Sequence, residues 1–254
     1  LKAYMRAPIP LMHKIAQAAL DIGIPSGTHN LSPGAASGLA ETTHLSAPQR
    51  LGYGWSRSAG GTTYQDAYDL HGKGDFRLIH TALFAYPFVG ADLTGGDRFE
   101  LLTSPNFLDV LRGNPQPPTE AAVASARLQE DQVSKLRTAG AMIAIGTDSP
   151  LVPPGIALHN NMRAAALTNS NLQVLQDVTV NAARMSLVDK DLGTVEVGKL
   201  ADLAIVRGNP LQDLKAAADV RYVVKNGVSY SLAEILAPFR TPAALAERRR
   251  TVLA

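Results

Sequence analysis

Ala141-Met142-Ile143-Ala144-Ile145-Gly146-Thr147-Asp148-Ser149-Pro150 is the stretch around which the chain is organised. Its apolar first half ends in a small residue, an acid, a hydroxyl and a proline. This order predicts a buried strand with one carboxylate, that of Asp148, at its exit. A lone aspartate there is usually a helix cap or a turn former, so its meaning depends on which side chains reach the same edge.

Four upstream segments are also predicted to be strands, and each of them carries a reactive side chain. Residues 1–6 carry Lys2, residues 24–29 end in His29, residues 38–45 carry Glu41 and His44 near their exit, and residues 76–84 contain His80. Five strands therefore precede residue 150. Three strand exits, besides that of Asp148, present a lysine or a histidine.

Helical spacing of apolar residues fills the intervals between these strands. The predicted helices are 11–22, 64–71 and 119–138, with two more between 155 and 185, while 30–34, 48–63 and 86–118 are predicted to be irregular. The alternation is typical of a parallel α/β fold, either a barrel or a doubly wound sheet. Reactive groups at the carboxyl ends of strands favour the barrel. The stretch 48–63, which holds Tyr53 and Trp55, is predicted to be an active-site loop.

The pattern changes after residue 189. Residues 192–206 and 220–230 are predicted to be short strands, the second with a hairpin turn at Asn226-Gly227, and residues 231–253 are predicted to be helical. The predicted units are a partial barrel at 1–189, a small β segment at 190–230 and a helical tail at 231–254.

Composition excludes several classes of function. The 254 residues are 46% hydrophobic, and 24 basic residues against 22 acidic ones give a net charge of +2, without the basic patch of a nucleic-acid-binding protein. The absence of cysteine excludes disulfides and thiolate chemistry. No apolar run is long enough to span a membrane, so neither nucleic acid nor a membrane is an expected partner.

Two histidines and an aspartate at neighbouring strand exits can hold a divalent metal such as zinc. Imidazole and carboxylate are common ligands for such ions, and an open coordination position lowers the pKa of bound water to ~7. Lysine is the unusual member, because an ammonium repels a metal. Lys2 can join only if its neutral amine captures CO₂ and becomes an anionic carbamate.

Several motifs together resemble the metal-dependent amidohydrolase superfamily, in its imidazolonepropionase-like and prolidase-like branch. They extend over essentially the whole chain: Lys2-Ala3-Tyr4-Met5-Arg6, Gly27-Thr28-His29, Glu41 with His44, Gly146-Thr147-Asp148-Ser149-Pro150, Thr179-Val180-Asn181-Ala182-Ala183-Arg184, Leu192-Gly193-Thr194-Val195-Glu196-Val197-Gly198-Lys199-Leu200-Ala201-Asp202-Leu203 and Val224-Lys225-Asn226-Gly227. The resemblance implies strands 4 to 8 of a TIM-like (β/α)8 barrel, followed by part of a small β-sandwich and a C-terminal helix.

The resemblance also implies a role for each site residue. Lys2 would be the carboxylated lysine that bridges two divalent ions, zinc being the expected metal. His29 and His44 would bind one ion, and Asp148 would bind the other and act as general base. The implied activity is hydrolysis, by a metal-bound hydroxide, of a C–N bond in a dipeptide-like compound, an N-acyl amino acid or a cyclic amide.

The sequence departs from this family at its start. No His-x-His pair, which the family carries on its first strand, occurs in the chain. We therefore expect an N-terminal half of the same protein, on a missing segment or another chain, to supply that pair. An open barrel edge is a further reason to expect a partner or an oligomer.

Other polar residues remain open between two interpretations. Tyr4 and Arg6 share the predicted face of Lys2 and can reach a substrate carboxylate, although Arg6 can equally pair with a structural acid. His80 either faces substrate or packs, and His159 is a candidate on the substrate side. His13 and His71 are predicted to be surface helix residues.

Two alternatives to amide hydrolysis stay in view. The same machinery hydrolyses lactones and esters. A non-catalytic partner or scaffold would keep the barrel for assembly alone; the absent His-x-His pair favours it, and the intact lysine, histidines and aspartate oppose it.

Overall fold

The computed structural model describes residues 1–4, 6–45, 62–81, 87–113, 117–149 and 153–253, with side chains placed as far as residue 248. Five short strands form a parallel sheet in the order of the chain. They are β1 (Lys2–Ala3), β2 (Gly27–Thr28), β3 (Glu41–Thr43), β4 (Arg77–His80) and β5 (Ile143–Ile145). Their order and direction match the predicted barrel segment.

Helices connect the strands and cover one side of the sheet. Those before β5 are α1 (Ile9–Asp21), α2 (Leu31–Ala36), α3 (Gln65–Gly72), α4 (Ala91–Thr94), α5 (Asp97–Leu102), α6 (Pro105–Arg112) and α7 (Glu120–Thr138). Those after it are α8 (Pro154–Ala165), α9 (Asn171–Asp177) and α10 (Val180–Met185). As predicted, the Thr119 side chain caps α7 by accepting a hydrogen bond from the backbone of Ala122.

Three predictions about these connections were wrong. The expected loop after His29 contains α2, the expected irregular stretch 86–118 contains α4, α5 and α6, and the two helices expected between 155 and 185 are three. Helices this short carry little periodicity, and tertiary packing stabilises them. The apolar side chains of the second stretch illustrate this, because they form one buried cluster with α8: Val89, Leu93, Phe99, Leu108, Leu111, Ile156 and Ala157.

Alternation along the strands separates the two faces of the parallel sheet. Leu78 and Ile143 pack against Val133 and Leu136 of α7, so every second residue along each strand, in register with these two, faces the helices. The residues of opposite parity face the barrel interior. One interior row is formed by register partners at the same height: Lys2, Gly27, Glu41 and Arg77.

A second, antiparallel sheet follows the barrel segment. It contains β6 (Leu203–Val206), β7 (Val220–Lys225) and β8 (Val228–Ser231). Asn226 and Gly227, with φ of 50° and 79°, form the predicted hairpin turn. The predicted strand at 192–206 forms only in its last four residues, while Val195 and Val197 are 85% and 109% exposed. No strand that the structure describes lies beside residues 192–202, and an unpaired strand is unstable.

The chain ends in α11 (Leu232–Leu236), a 3₁₀ turn (Ala237–Arg240) and α12 (Pro242–Leu253). Arg240 pairs with Asp97 of α5, which ties the tail to the barrel segment. Arg248 donates hydrogen bonds to the carbonyls of Leu101 and Thr103. Within the described residues, no helix combines the length and the apolar character needed to cross a membrane.

Candidate active site

The sheet gathers four of the predicted site residues at its carboxyl edge. His29 follows β2, His44 follows β3 and Asp148 follows β5, while Lys2 lies in β1. His44 Nε2 is 3.5 Å from Asp148 Oδ1, and the rings of His29 and His44 are 5.2 Å apart between centroids. Both histidines are buried, whereas the Asp148 side chain is 31% exposed. The arrangement is a polar cluster that opens to solvent on the side of Asp148.

The backbone turns sharply at two of these residues. His44 and Asp148 have φ of 65° and 52°, a left-handed conformation that is uncommon outside glycine. Such residues collect at functional sites, where the surrounding structure must hold them in place. Asn161 of α8 does part of this by donating a hydrogen bond of 2.8 Å to the carbonyl of Gly146. Asn161 was missed in the sequence, because nothing in its local pattern shows that α8 returns to the end of β5.

Burial determines the charge of the imidazoles. It lowers the pKa of His29 to about 4, assisted by the positive charges of Lys2 and His44, and it lowers the pKa of His44 against the opposing effect of Asp148. Both rings are therefore neutral at pH 7, which is the form that binds metal. Burial also lowers the pKa of Lys2, with Asp148 and Glu41 opposing the shift.

Glu41 is a buried member of the cluster whose role the sequence left undefined. It lies in the interior row with Lys2, and burial raises the pKa of its carboxyl to about 7, against the opposing charge of Arg77. A Cβ on Gly27 would lie 3.0 Å from Glu41 Cγ, so glycine leaves the room that this side chain occupies. Glu41 thus adds a second carboxyl group beneath the histidines.

Tyr4 lies at the mouth of the cluster, and Arg6 follows it two residues further along the chain. The Tyr4 ring meets His29 edge-on with centroids 4.8 Å apart, and it remains 60% exposed. Lys2 Nζ lies 6.0 Å from the centre of the same ring. Arg6 is exposed to solvent. Tyr4 therefore lies on the solvent side of the cluster.

His80 and His159 contact other parts of the fold. His80 shares the parity of Leu78 and faces α7, where its Nε2 is 2.9 Å from Oε1 of the fully buried Glu130. His80 therefore packs inside the fold, which is one of the two interpretations that the sequence left open. His159 is half-buried on α8 near Arg163 and Arg98, and burial lowers its pKa to about 4. His80 contributes to lowering the pKa of His44 through its charge, but its hydrogen bond is to Glu130, and the charges beside His159 belong to Arg163, Arg98 and Asp92.

The two other histidines differ from each other. His13 is exposed on α1, as predicted. The prediction of a surface position for His71 was wrong: the ring is 2% exposed, and its Nδ1 lies 2.5 Å from the carbonyl of Phe76. The last turn of α3 packs against Phe76, the residue before β4, with the two rings 5.4 Å apart between centroids, a tertiary contact that helical periodicity did not show. Met5, Pro150 and the predicted loop with Tyr53 and Trp55 lie outside the described residues.

The donor set fits a divalent metal in its chemistry. Two neutral imidazoles, a solvent-facing carboxylate and a lysine of lowered pKa are the groups that such an ion requires, and His44 and Asp148 already face each other. Among the described residues, however, no three His, Asp or Glu side chains are arranged so that they could hold an ion as they stand. Binding would therefore draw these side chains together.

Known proteins share both the sequence pattern and the fold. The model of the amidohydrolase family matches residues 116–229. A 5-methylthioadenosine/S-adenosylhomocysteine deaminase of Thermoanaerobacter pseudethanolicus is 28% identical over 155 residues, which are 56% of this chain and 34% of that protein. An imidazolonepropionase of Sphingopyxis alaskensis is 40% identical over 76 residues, 29% of this chain and 19% of that protein.

Solved structures extend the similarity to most of the chain. A Xaa-Pro dipeptidase with bound methionine superposes with a TM-score of 0.60 at 22% identity, covering 88% of this chain and 49% of that one. A putative prolidase from Bifidobacterium longum gives a TM-score of 0.58 at 22% identity, covering 96% and 56%. The chain thus spans about a third of the first curated relative and about half of these structures.

The parallel β/α segment, with histidines and an aspartate at its carboxyl edge, is part of a TIM-type barrel, as predicted. Residues 116–229 thus match the amidohydrolase family model, and the chain shares its fold with the prolidase-like structures.

Proposed function

We propose that this site hydrolyses a C–N bond in a small amide, either a dipeptide-like compound, an N-acyl amino acid or a cyclic amide, with two divalent ions. The observation that carries the proposal is the convergence of Lys2, His29, His44 and Asp148 on one edge of the sheet, with His44 and Asp148 3.5 Å apart. The names of the similar proteins agree with C–N chemistry, since they include a deaminase, an imidazolonepropionase and a dipeptidase.

The residues divide the work by chemistry. His29 and His44 would hold one ion, Asp148 the other, and Lys2, as a CO₂-derived carbamate, would bridge them; zinc suits this set. Ions bound there would polarise a carbonyl and make water a nucleophile near pH 7. Asp148, which is more exposed to solvent than its neighbour His44, would take the proton of the attacking water and return it to the leaving nitrogen.

Tyr4 and Arg6 suggest how substrate is oriented. Tyr4 presents an exposed aromatic ring beside His29, and the exposed Arg6 offers a guanidinium that can bind a carboxylate through two hydrogen bonds. A substrate with a free carboxylate and an apolar group next to the scissile amide matches this pair. We therefore favour N-acyl amino acids and dipeptide-like compounds over lactones.

We also propose that a further polypeptide segment carrying a His-x-His pair packs beside β1. β1 is an edge strand of the parallel sheet that the structure describes, and Leu1 beside it and Leu11 on α1, which packs on β1, are exposed apolar residues. An open strand with such a neighbourhood is a pairing site. Co-expression of this chain with a polypeptide that carries the pair, followed by co-purification and metal analysis, tests this point; separate elution of the two would contradict it.

Asp148→Asn is the experiment that tests the catalytic assignment. We expect turnover of N-acyl amino acids by the metal-reconstituted protein to fall at least ~10²-fold, the contribution typical of a general base, while the fold is retained. Asp75→Asn is the matched control, because Asp75 is also a left-handed aspartate, with φ of 50°, but is exposed beside Arg77. Retained activity in Asp148→Asn would refute the mechanism, and an inactive, fully metal-loaded wild type would favour the scaffold alternative.

A further inference from the structure

Two consecutive asparagines of α8, Asn160 and Asn161, are buried among apolar residues. They are 0% and 2% exposed, and Ala157, Met162 and Ala164 of the same helix are buried as well. A buried amide without hydrogen bonds costs stability, so two of them in one apolar turn require partners. Each of their four polar atoms has one. The two side chains are therefore explained by these hydrogen bonds and not by the apolar packing of α8.

The hydrogen bonds of the two asparagines join the segment after β4 to the exit of β5. The backbone N–H of Phe88 donates to Asn160 Oδ1 at 3.1 Å, and Asn160 Nδ2 donates to Asn161 Oδ1 at 3.3 Å. Asn161 Nδ2 then donates to the carbonyl of Gly146 at 2.8 Å. These three bonds are called the asparagine bridge below. A backbone N–H can only donate and a carbonyl can only accept, so turning either amide around would break two of the three bonds.

Both ends of the asparagine bridge are residues whose backbone is held a second time. The N–H of Gly146 donates to the carbonyl of His80 at 2.7 Å, so Gly146 is bound through both its N–H and its carbonyl. The carbonyl of Phe88 accepts from Arg163 Nη1 at 2.8 Å, and Arg163 also pairs with Asp92. The α8 helix thus fixes the segment that follows β4 against the exit of β5.

Asp148 lies two residues after Gly146 and has a φ of 52°. A left-handed aspartate persists only where the surrounding structure holds the backbone in place, and the bound Gly146 is the point from which this turn begins. We infer that Asn160 and Asn161 are positioning residues for Asp148: Asn161 holds the start of its turn, and Asn160 couples that turn to the segment after β4. The inference rests on the proposed function only for the role of Asp148 as general base.

Amide hydrogen exchange of the metal-free full chain, followed by NMR at Gly146 and Phe88, measures the coupling without any substrate. Asn160→Asp keeps the acceptor for Phe88 but loses the donor to Asn161, so it breaks only the middle bond. We expect the exchange of the Gly146 amide to rise ~3–10-fold, the range of one lost hydrogen bond, although the bonds of Asn160 go to Phe88 and Asn161. Asn160→Ala introduces no charge and should raise the exchange of both amides.

Turnover of N-acyl amino acids by the zinc-reconstituted protein gives the second measurement. Asn161→Asp places an acceptor against the Gly146 carbonyl, and we expect kcat to fall ~10–100-fold with KM within ~3-fold of wild type, as for a misplaced catalytic group. The double variant Asn160→Ala/Asn161→Ala should be no slower than Asn161→Ala, since both side chains act through one bond to Gly146. Asn169→Asp is the matched control, because Asn169 is another buried amide, bonded to Ala165 and Arg137, and it should change neither kcat nor the exchange of Gly146.

Unchanged exchange of the Gly146 amide in both Asn160 variants would overturn the coupling. An undiminished kcat in Asn161→Asp, or a double variant whose loss in kcat is the product of the two single losses, would overturn the positioning of Asp148. Failure of the proposed function looks different. A zinc-loaded wild type that turns over no substrate, while the Asn160 variants still raise the exchange of Gly146, would remove the hydrolase assignment and leave the asparagine bridge as a coupling between the two segments.

Discussion

His71 is a buried histidine whose titration should be visible in the stability of the whole protein. Its ring lies between the end of α3 and the start of β4, and its Nδ1 donates to the carbonyl of Phe76 at 2.5 Å. Nε2 is buried and has no partner in the part of the chain that the structure describes. A proton added there would be buried without an acceptor, and for this reason burial lowers the pKa of His71 to about 4, from 6.5.

The sign of the effect follows from the two states. Above pH 6.5 the ring is neutral both folded and unfolded, so its full contribution to stability is present. Between pH 6.5 and 4 the unfolded chain binds a proton that the folded protein does not, and the free energy of unfolding falls by about 1.4 kcal/mol per pH unit. The total loss by pH 4 is roughly 3 kcal/mol, a large part of the stability of an ordinary domain.

Urea denaturation of the wild type and His71→Asn, at pH values from about 7.5 to 4.5, isolates this contribution. Asparagine retains a donor for the Phe76 carbonyl but cannot titrate, so we expect the stability of the variant to fall less steeply below pH 6.5, by up to ~1.4 kcal/mol per pH unit. The remaining groups titrate in both proteins and cancel in the comparison. His13→Asn, at an exposed position, controls for the loss of one histidine. Parallel stability curves for wild type and His71→Asn would refute the reasoning.

Two further substitutions test the packing that supports the site. Gly34→Ala would place a Cβ 2.3 Å from Thr28 Cγ2, so we expect the free energy of unfolding, measured by urea denaturation, to fall by ~1–3 kcal/mol. The control Gly155→Ala meets no atom within 4 Å and should be neutral or slightly stabilising. Equal effects of the two substitutions would show that α2 moves freely. Glu130→Leu would leave Nε2 of the buried His80 without its Glu130 partner and should lower the free energy of unfolding by roughly 1–3 kcal/mol in the same measurement. Glu130→Gln should lower it less. A Glu130→Leu protein that is more stable than wild type would contradict this account of the pair.

Local patterns predicted the elements that have strong local causes. The α7 helix, with its Thr119 cap, and the Asn226-Gly227 hairpin lie where capping and turn chemistry placed them. The helices α4 to α6 were missed, because each is short and is held by apolar contacts with α8. The strand predicted at 192–206 forms only at Leu203–Val206, because a strand needs a neighbour and none is described beside residues 192–202.

For the candidate site, too, some features could be predicted from the sequence and others could not. The sequence by itself determined which residues can take part, because a lysine, two histidines and an aspartate follow apolar segments in a β/α alternation and match a family motif. Parallel strands then bring their carboxyl ends to one edge, which makes the convergence of Lys2, His29, His44 and Asp148 a consequence of the order of the elements.

Only the tertiary structure decided which face each side chain occupies and what supports it. His80 turned to Glu130 because a shift of one residue along a strand reverses the face. His71 became a core residue because the end of α3 packs on Phe76. Thr43, Thr81 and Asn161 contact the site because folding joins strands and helices far apart in sequence. A hydrogen bond depends on distances of a few tenths of an ångström. Residue types and their spacing do not contain that information, and packing supplies it.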